Sequence, residues 1–108
     1  MPAYAVAHLR STQVGPEILE YLQRIDDTLE PFGGRFLIHG ATPEVLEDAF
    51  PGVLVVIEFP DRATAHAWYA SDAYQAILPL RTNNSDGTAF IVDGVKPGHR
   101  ATDAVAVA

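Results

Sequence analysis

His8, Arg35 and Glu58 are the residues whose types best suit proton chemistry. An imidazole beside a carboxylate is held in one orientation and made more basic, which is what a general base requires. His8 follows Tyr4 and Val6 on one side of an alternating run, Ala3 to Leu9. Glu58 follows Leu54 and Val56 in a second run, Val53 to Phe59, and Arg35 opens a third, Arg35 to His39. Taking the first and third strands as parallel neighbours, their ends lie together. The pattern then predicts one polar cluster of His8, Glu58 and Arg35 where both helices begin. The competing reading is a polar network that satisfies itself in a subunit interface, because structural ion pairs also bury charge.

A second constellation is aromatic. Ala65, Trp68 and Tyr69 fall at i, i+3 and i+4, one face of a helix, and Tyr74 restarts the spacing. Trp68, Tyr69 and Tyr74 at that spacing either build core or line an apolar ligand pocket between helix and sheet. Arg81 follows at the end of the same helical stretch. Its planar fork suits a ligand carboxylate or phosphate, although a cation near a helix C-terminus is favourable without any ligand.

Several chemistries lack their residues. No cysteine is present, and His8, His39, His66 and His99 show no His-x-x-x-His spacing, so neither a metal nor a thiolate site is expected. His66 is the only histidine on a predicted helix, and it lies one residue off the Ala65–Trp68–Tyr69 face, a poor placement for a haem ligand. There is no G-x-G-x-x-G and no phosphate loop, and no cofactor is expected. Asn83 to Gly87 is turn chemistry, Ser85 has no evident base, and Glu44, Glu47 and Asp48 read as a solvated loop. The formal net charge of −7 and the lack of a basic block argue against nucleic acid and against an anionic membrane surface. No run reaches the ~18 apolar residues of a membrane span. The N-terminus does not resemble a signal peptide, and with the missing cysteines it points to the cytoplasm.

These residues must be positioned by a small set of elements. Ile18, Tyr21, Leu22, Ile25, Leu29 and Phe32 recur every three or four residues and predict an amphipathic helix. Pro16 suits its start, and Gly33-Gly34 its end. Val53 to Phe59 is a strand ended by Pro60. Asp61 and Ser71 are two caps, so the helix carrying Trp68 and Tyr74 is predicted to break. A long connection spans Gly40 to Gly52, with room for a short strand at Val45-Leu46. Ala89 to Val95 is the last strand. The order is β-α-β, β-α-β, a ferredoxin-like α+β fold with an antiparallel sheet. Residues 1–95 form the single domain, and 96–108 read as a flexible C-terminal tail. Both helices cover one face of the sheet. Strands apolar on both sides need a second cover, and another copy of the sheet supplies it, which predicts a homodimer.

Gly33-Gly34-Arg35-Phe36-Leu37, Val56-Ile57-Glu58-Phe59-Pro60, Ala67-Trp68-Tyr69-x-Ser71-x-x-Tyr74-Gln75 and Leu80-Arg81 together resemble the bacterial family called domain of unknown function thirteen-thirty, over Tyr4 to Val95. The chain departs from it at Gly15-Pro16-Glu17, where such proteins often carry an acidic cap. The resemblance implies a dimeric α/β barrel, two ferredoxin-like sheets facing each other with helices outside. The wider superfamily includes cofactor-free monooxygenases, lactone isomerases, haem-handling enzymes and proteins of no known activity. Two function classes follow. One is a cofactor-free enzyme, monooxygenase- or isomerase-like, acting on a small apolar or aromatic molecule with His8 and Glu58 as acid and base. The other is a small-ligand-binding or stress-related protein without turnover.

Overall fold

The computed structural model describes residues 1–106. Its elements are β1 (Ala3–Thr12), α1 (Pro16–Leu29) with a following 3-10 turn (Glu30–Phe32), β2 (Arg35–Ala41), β3 (Val53–Phe59), α2 (Arg62–Ala70), α3 (Asp72–Thr82), β4 (Ser85–Asp93) and a short α4 (Asp103–Ala106). The end of the segment read as a flexible tail, 107–108, lies outside the described residues. No strand forms at Val45-Leu46, where the connection is irregular.

Local chemistry accounts for the helix boundaries. Pro16 opens α1, where its missing N–H costs nothing. Gly33 ends the following turn at φ 66°, the left-handed conformation that glycine adopts without a side-chain clash. Gly34 next to it is needed for a different reason: a Cβ there would meet the Phe59 ring at 2.7 Å. Asp61 caps α2 by accepting from the Thr64 N–H at 2.7 Å. Ser71 separates α2 from α3. Its Oγ donates to the Trp68 carbonyl at 2.6 Å and accepts from the Tyr74 N–H at 3.3 Å, so one side chain closes the first helix and opens the second.

The four strands lie in the order β2-β3-β1-β4, and every neighbouring pair is antiparallel. This is the ferredoxin-like βαββαβ fold. The parallel orientation expected for β1 and β3 is incorrect. In a split βαβ unit it is β1 and β2 that run the same way, and β3 enters between them in the opposite direction. Thr12 and Phe59, the two strand ends, therefore lie at opposite ends of the sheet, and so do the starts of α1 and α2.

The register sorts side chains cleanly. Ala3, Ala5, Ala7 and Leu9 share the helix face with Phe59, Ile57, Val55 and Val53. The core forms there, where Ile57, Phe59, Trp68, Tyr74 and Ile77 are all buried. The other face carries Tyr4, Val6 and His8, opposite Glu58, Val56 and Leu54 on one side and Val92, Phe90 and Thr88 on the other. No helix among the described residues covers it, and Phe90 is 49% exposed. No described helix is long and apolar enough to cross a membrane.

Candidate functional site

The helix face of β1 is built largely of alanine, and Ala7 pairs with Ala89 of β4. Methyl groups are too short to fill the space below a helix, so a gap stays open. The result is a half-open cleft of about 770 Å³, within the roughly 300–1,000 Å³ of small-molecule sites. Ala5, Ala7 and Ala89 form its floor, and Ile18, Tyr21 and Ile25 of α1 its roof. Trp68, Tyr69, Tyr74 and Arg81 enter from α2 and α3.

Trp68 is 3% exposed, and its indole N–H donates to Thr28 Oγ1 at 3.0 Å. Its ring lies 4.0 Å from that of Tyr74, centroid to centroid. The tyrosine hydroxyl meets the hydroxyl of Tyr21 at 2.8 Å. Each phenol carries one proton, and one of the two is used in this contact. The other is claimed by no hydrogen bond among the described residues. Burial, with the neighbouring Tyr74, pushes the Tyr21 phenol well above its ordinary range, and Arg81 pulls it only part of the way back. Tyr21 therefore stays a neutral donor and cannot serve as a base near neutrality.

Arg81 sits in the last turn of α3, half-buried, with its guanidinium carbon 6.0 Å from the centre of the Tyr21 ring. That is the range of a cation–π contact. Among the described residues it makes no ion pair. Arg10, Arg24, Arg35 and Arg62 each do, with Asp86, Glu20, Glu58 and Asp93.

The expected polar cluster forms only in part. Arg35 and Glu58 are directly opposed in the register, and Arg35 Nη2 lies 2.7 Å from Glu58 Oε1. His8 is opposed to Leu54 instead, four residues along β3 from Glu58. At about 3.3 Å per residue that is roughly 13 Å. The two side chains share a face but not a site, because the strands are antiparallel. His8 is occupied elsewhere: its Nε2 lies 2.5 Å from the Pro51 carbonyl, and its ring stacks on Phe50 at 3.9 Å. None of His8, Glu58 or Arg35 lines the cleft.

The aromatic constellation does come together, since Trp68, Tyr69, Tyr74 and Arg81 all border the cleft. Trp68 and Tyr74 are at once core and wall, while Tyr69 is 39% exposed at the edge. Sequence reasoning missed Tyr21, which lay inside the apolar stripe of α1 and read as core. His39 and His66 also reach the cleft. The signal that was available is the alternate alanine row of β1, which predicts missing volume under the helices. Among the described residues no three His, Asp or Glu side chains converge as a metal site.

Solved structures share this architecture. A protein of unknown function from Rhodopseudomonas palustris aligns with a TM-score of 0.66 at 15% identity, covering 89% of this chain and 84% of that one. A dimeric ferredoxin-like protein of unknown function from Jannaschia sp. CCS1 gives 0.68 at 12% identity, covering 87% and 100%. SnoaB from Streptomyces nogalater (N63A mutant), described as a cofactor-independent oxygenase, gives 0.54 at 14% identity, covering 92% and 98%. At these identities the likeness is one of fold. No curated protein matches the chain. A family profile does, over residues 2–95, and the chain belongs to the family described as Domain of unknown function (DUF1330).

Proposed function

We propose that the protein is a homodimeric α/β barrel that binds a small apolar or aromatic molecule in the cleft under α1 and acts on it without a cofactor, as a monooxygenase or isomerase. The cleft carries this reading: apolar walls of suitable volume converge on a cation and a pair of phenols. The shared fold with a protein described as a cofactor-independent oxygenase supports this reading. His8 and Glu58 stand away from the cleft, so the acid–base role moves to groups that border it. Tyr21 or Tyr74 is the proton donor, and His39 or His66 is the imidazole that borders the cleft. The homodimer is supported by the uncovered apolar face of the sheet and by the dimeric Jannaschia protein. A cysteine-free chain also suits the cytoplasm.

Binding without turnover is the second reading. It is favoured by one observation, that the Trp68 indole and the tyrosine hydroxyls already bond to protein groups. An oxygen electrode with a dihydroxynaphthalene, followed by product analysis, separates the two. Cofactor-free oxygen uptake that disappears in Tyr74→Phe supports an oxygenase. Saturable binding with neither oxygen uptake nor an isomerised product supports the binder.

A further inference from the structure

We infer that the cleft takes its ligand as an anion, an aromatic molecule whose ionised oxygen, carboxylate or enolate, sits between Arg81 and the Tyr21–Tyr74 hydroxyl pair. This rests on the cleft being a ligand site and adds the charge state of what enters it.

The first argument is how the protein distributes its charges. The chain carries 14 acidic residues against 7 basic ones, so carboxylate partners are plentiful. Arg10, Arg24, Arg35 and Arg62 all have one, and Lys96 and Arg100, which form no ion pair among the described residues, are exposed. Arg81, which borders the cavity, has none among the described residues, although it is half-buried. A guanidinium partly removed from water without a counter-charge is costly, and a bound anion offsets that cost.

The second argument is the donor set. Arginine presents N–H groups only, and its fork matches a carboxylate. The hydroxyl pair has one proton left to donate, and it lies beside the same guanidinium. The guanidinium and the hydroxyl pair thus each have a proton to offer, and an ionised oxygen can accept from both. An ammonium ligand would face the guanidinium directly, and beside Arg81 the walls contributed by Ala5, Ala7, Ile18 and Ile25 offer a polyol no partners. The aromatic wall of Trp68, Tyr69 and Tyr74 suits an aromatic body.

Isothermal titration calorimetry with 2-naphthoate and its neutral isostere 2-naphthamide tests this. Wild type is expected to bind the carboxylate at least about tenfold more tightly than the amide, the scale of a charge-assisted hydrogen bond. In Arg81→Met the preference should fall to near unity while the amide binds as before. Tyr21→Phe should reduce it by a smaller factor. Equal wild-type affinities for the two probes would overturn the anion inference and leave the cleft as a ligand site. Failure of both probes to bind would overturn the inference together with the ligand-site reading. Should Arg81→Met not fold, the wild-type ratio and Tyr21→Phe still decide the question.

Discussion

The two faces of the sheet come from the same strands, yet they are built to opposite ends. On the helix face, β1 offers Ala3, Ala5 and Ala7, and β4 offers Ala89. Small residues there do not fill the space between the layers and leave a cleft. On the other face the same strands offer Tyr4, Val6, Phe90 and Val92, joined by Val56 from β3. Large residues there present a broad apolar surface that no helix among the described residues covers. A strand that alternates small with large thus makes room on one side and adhesive surface on the other, and the difference assigns ligand chemistry to the first and assembly to the second.

The largest expected effect comes from attacking the open face. Phe90→Asp places two carboxylates in a symmetric interface, and should give folded monomers, because Phe90 is half exposed in the chain itself. Sedimentation of wild type should show a dimer burying roughly 2,000 Å² or more. A wild-type monomer at micromolar concentration would mean that this face needs no cover, and the contrast between the faces would fail.

Next in size is Trp68→Ala on the helix face. The indole is 3% exposed and hydrogen-bonded to Thr28, so the loss should be about 3–5 kcal/mol by chemical denaturation. A loss below about 1 kcal/mol, the scale of a surface change, would show that the cleft wall is not part of the core.

Ala7→Leu sharpens the comparison from the other side, since it adds volume where the sheet is short of it. Stability should move by less than about 1.5 kcal/mol, as for a tolerated apolar swap, because the new side chain has a cavity to enter. Binding of 2-naphthoate should be abolished in calorimetry. Undiminished binding would place the ligand elsewhere.

Smallest is Asp86→Asn, at the end of the sheet outside both regions. Hydrogen bonding and charge attraction from Arg10 hold the Asp86 carboxyl below its usual 3.8. A depressed carboxylate pKa stabilises the fold above the unfolded value and loses that contribution as pH falls through the lower folded value. Thermal melts should show Asn slightly less stable than wild type at neutral pH and equal to it in strong acid. A gap that persists in acid would trace the effect to packing.

What the sequence made legible was local. Pro16, Gly33, Asp61 and Ser71 each carry their own geometric reason, and each marks the boundary it was read to mark. The alternation of β1 and β3 likewise assigned side chains to faces. Strand direction is not local. Alternation is the same whichever way a neighbour runs, so nothing in the residues around His8 or Glu58 distinguishes adjacent ends from opposite ends. Reading the direction wrongly turned a surface pair, Arg35–Glu58, and a loop-bound histidine into one cluster. The cleft was hidden for a related reason. Tyr21 and Ile25 make an ordinary apolar stripe, and only the alanine row across from them shows that the stripe has little to pack on. The seat of His8 against Phe50 and Pro51 depends on the path of an irregular loop, which has no periodicity to read.

The edges of the sheet bear on how far the molecule can grow. β2 is an edge strand, and its pairing with β3 slips twice, between Phe36 and Ile38 and between His39 and Ala41. Gly40, inside the second slip, has φ 79°. Bulges twist a strand and interrupt its row of free N–H and C=O groups, so an incoming chain finds no continuous ladder to extend. End-to-end polymerisation through this edge is thereby discouraged. A sheet with one uncovered face keeps a route to a closed assembly while the route to an endless one through this edge is obstructed.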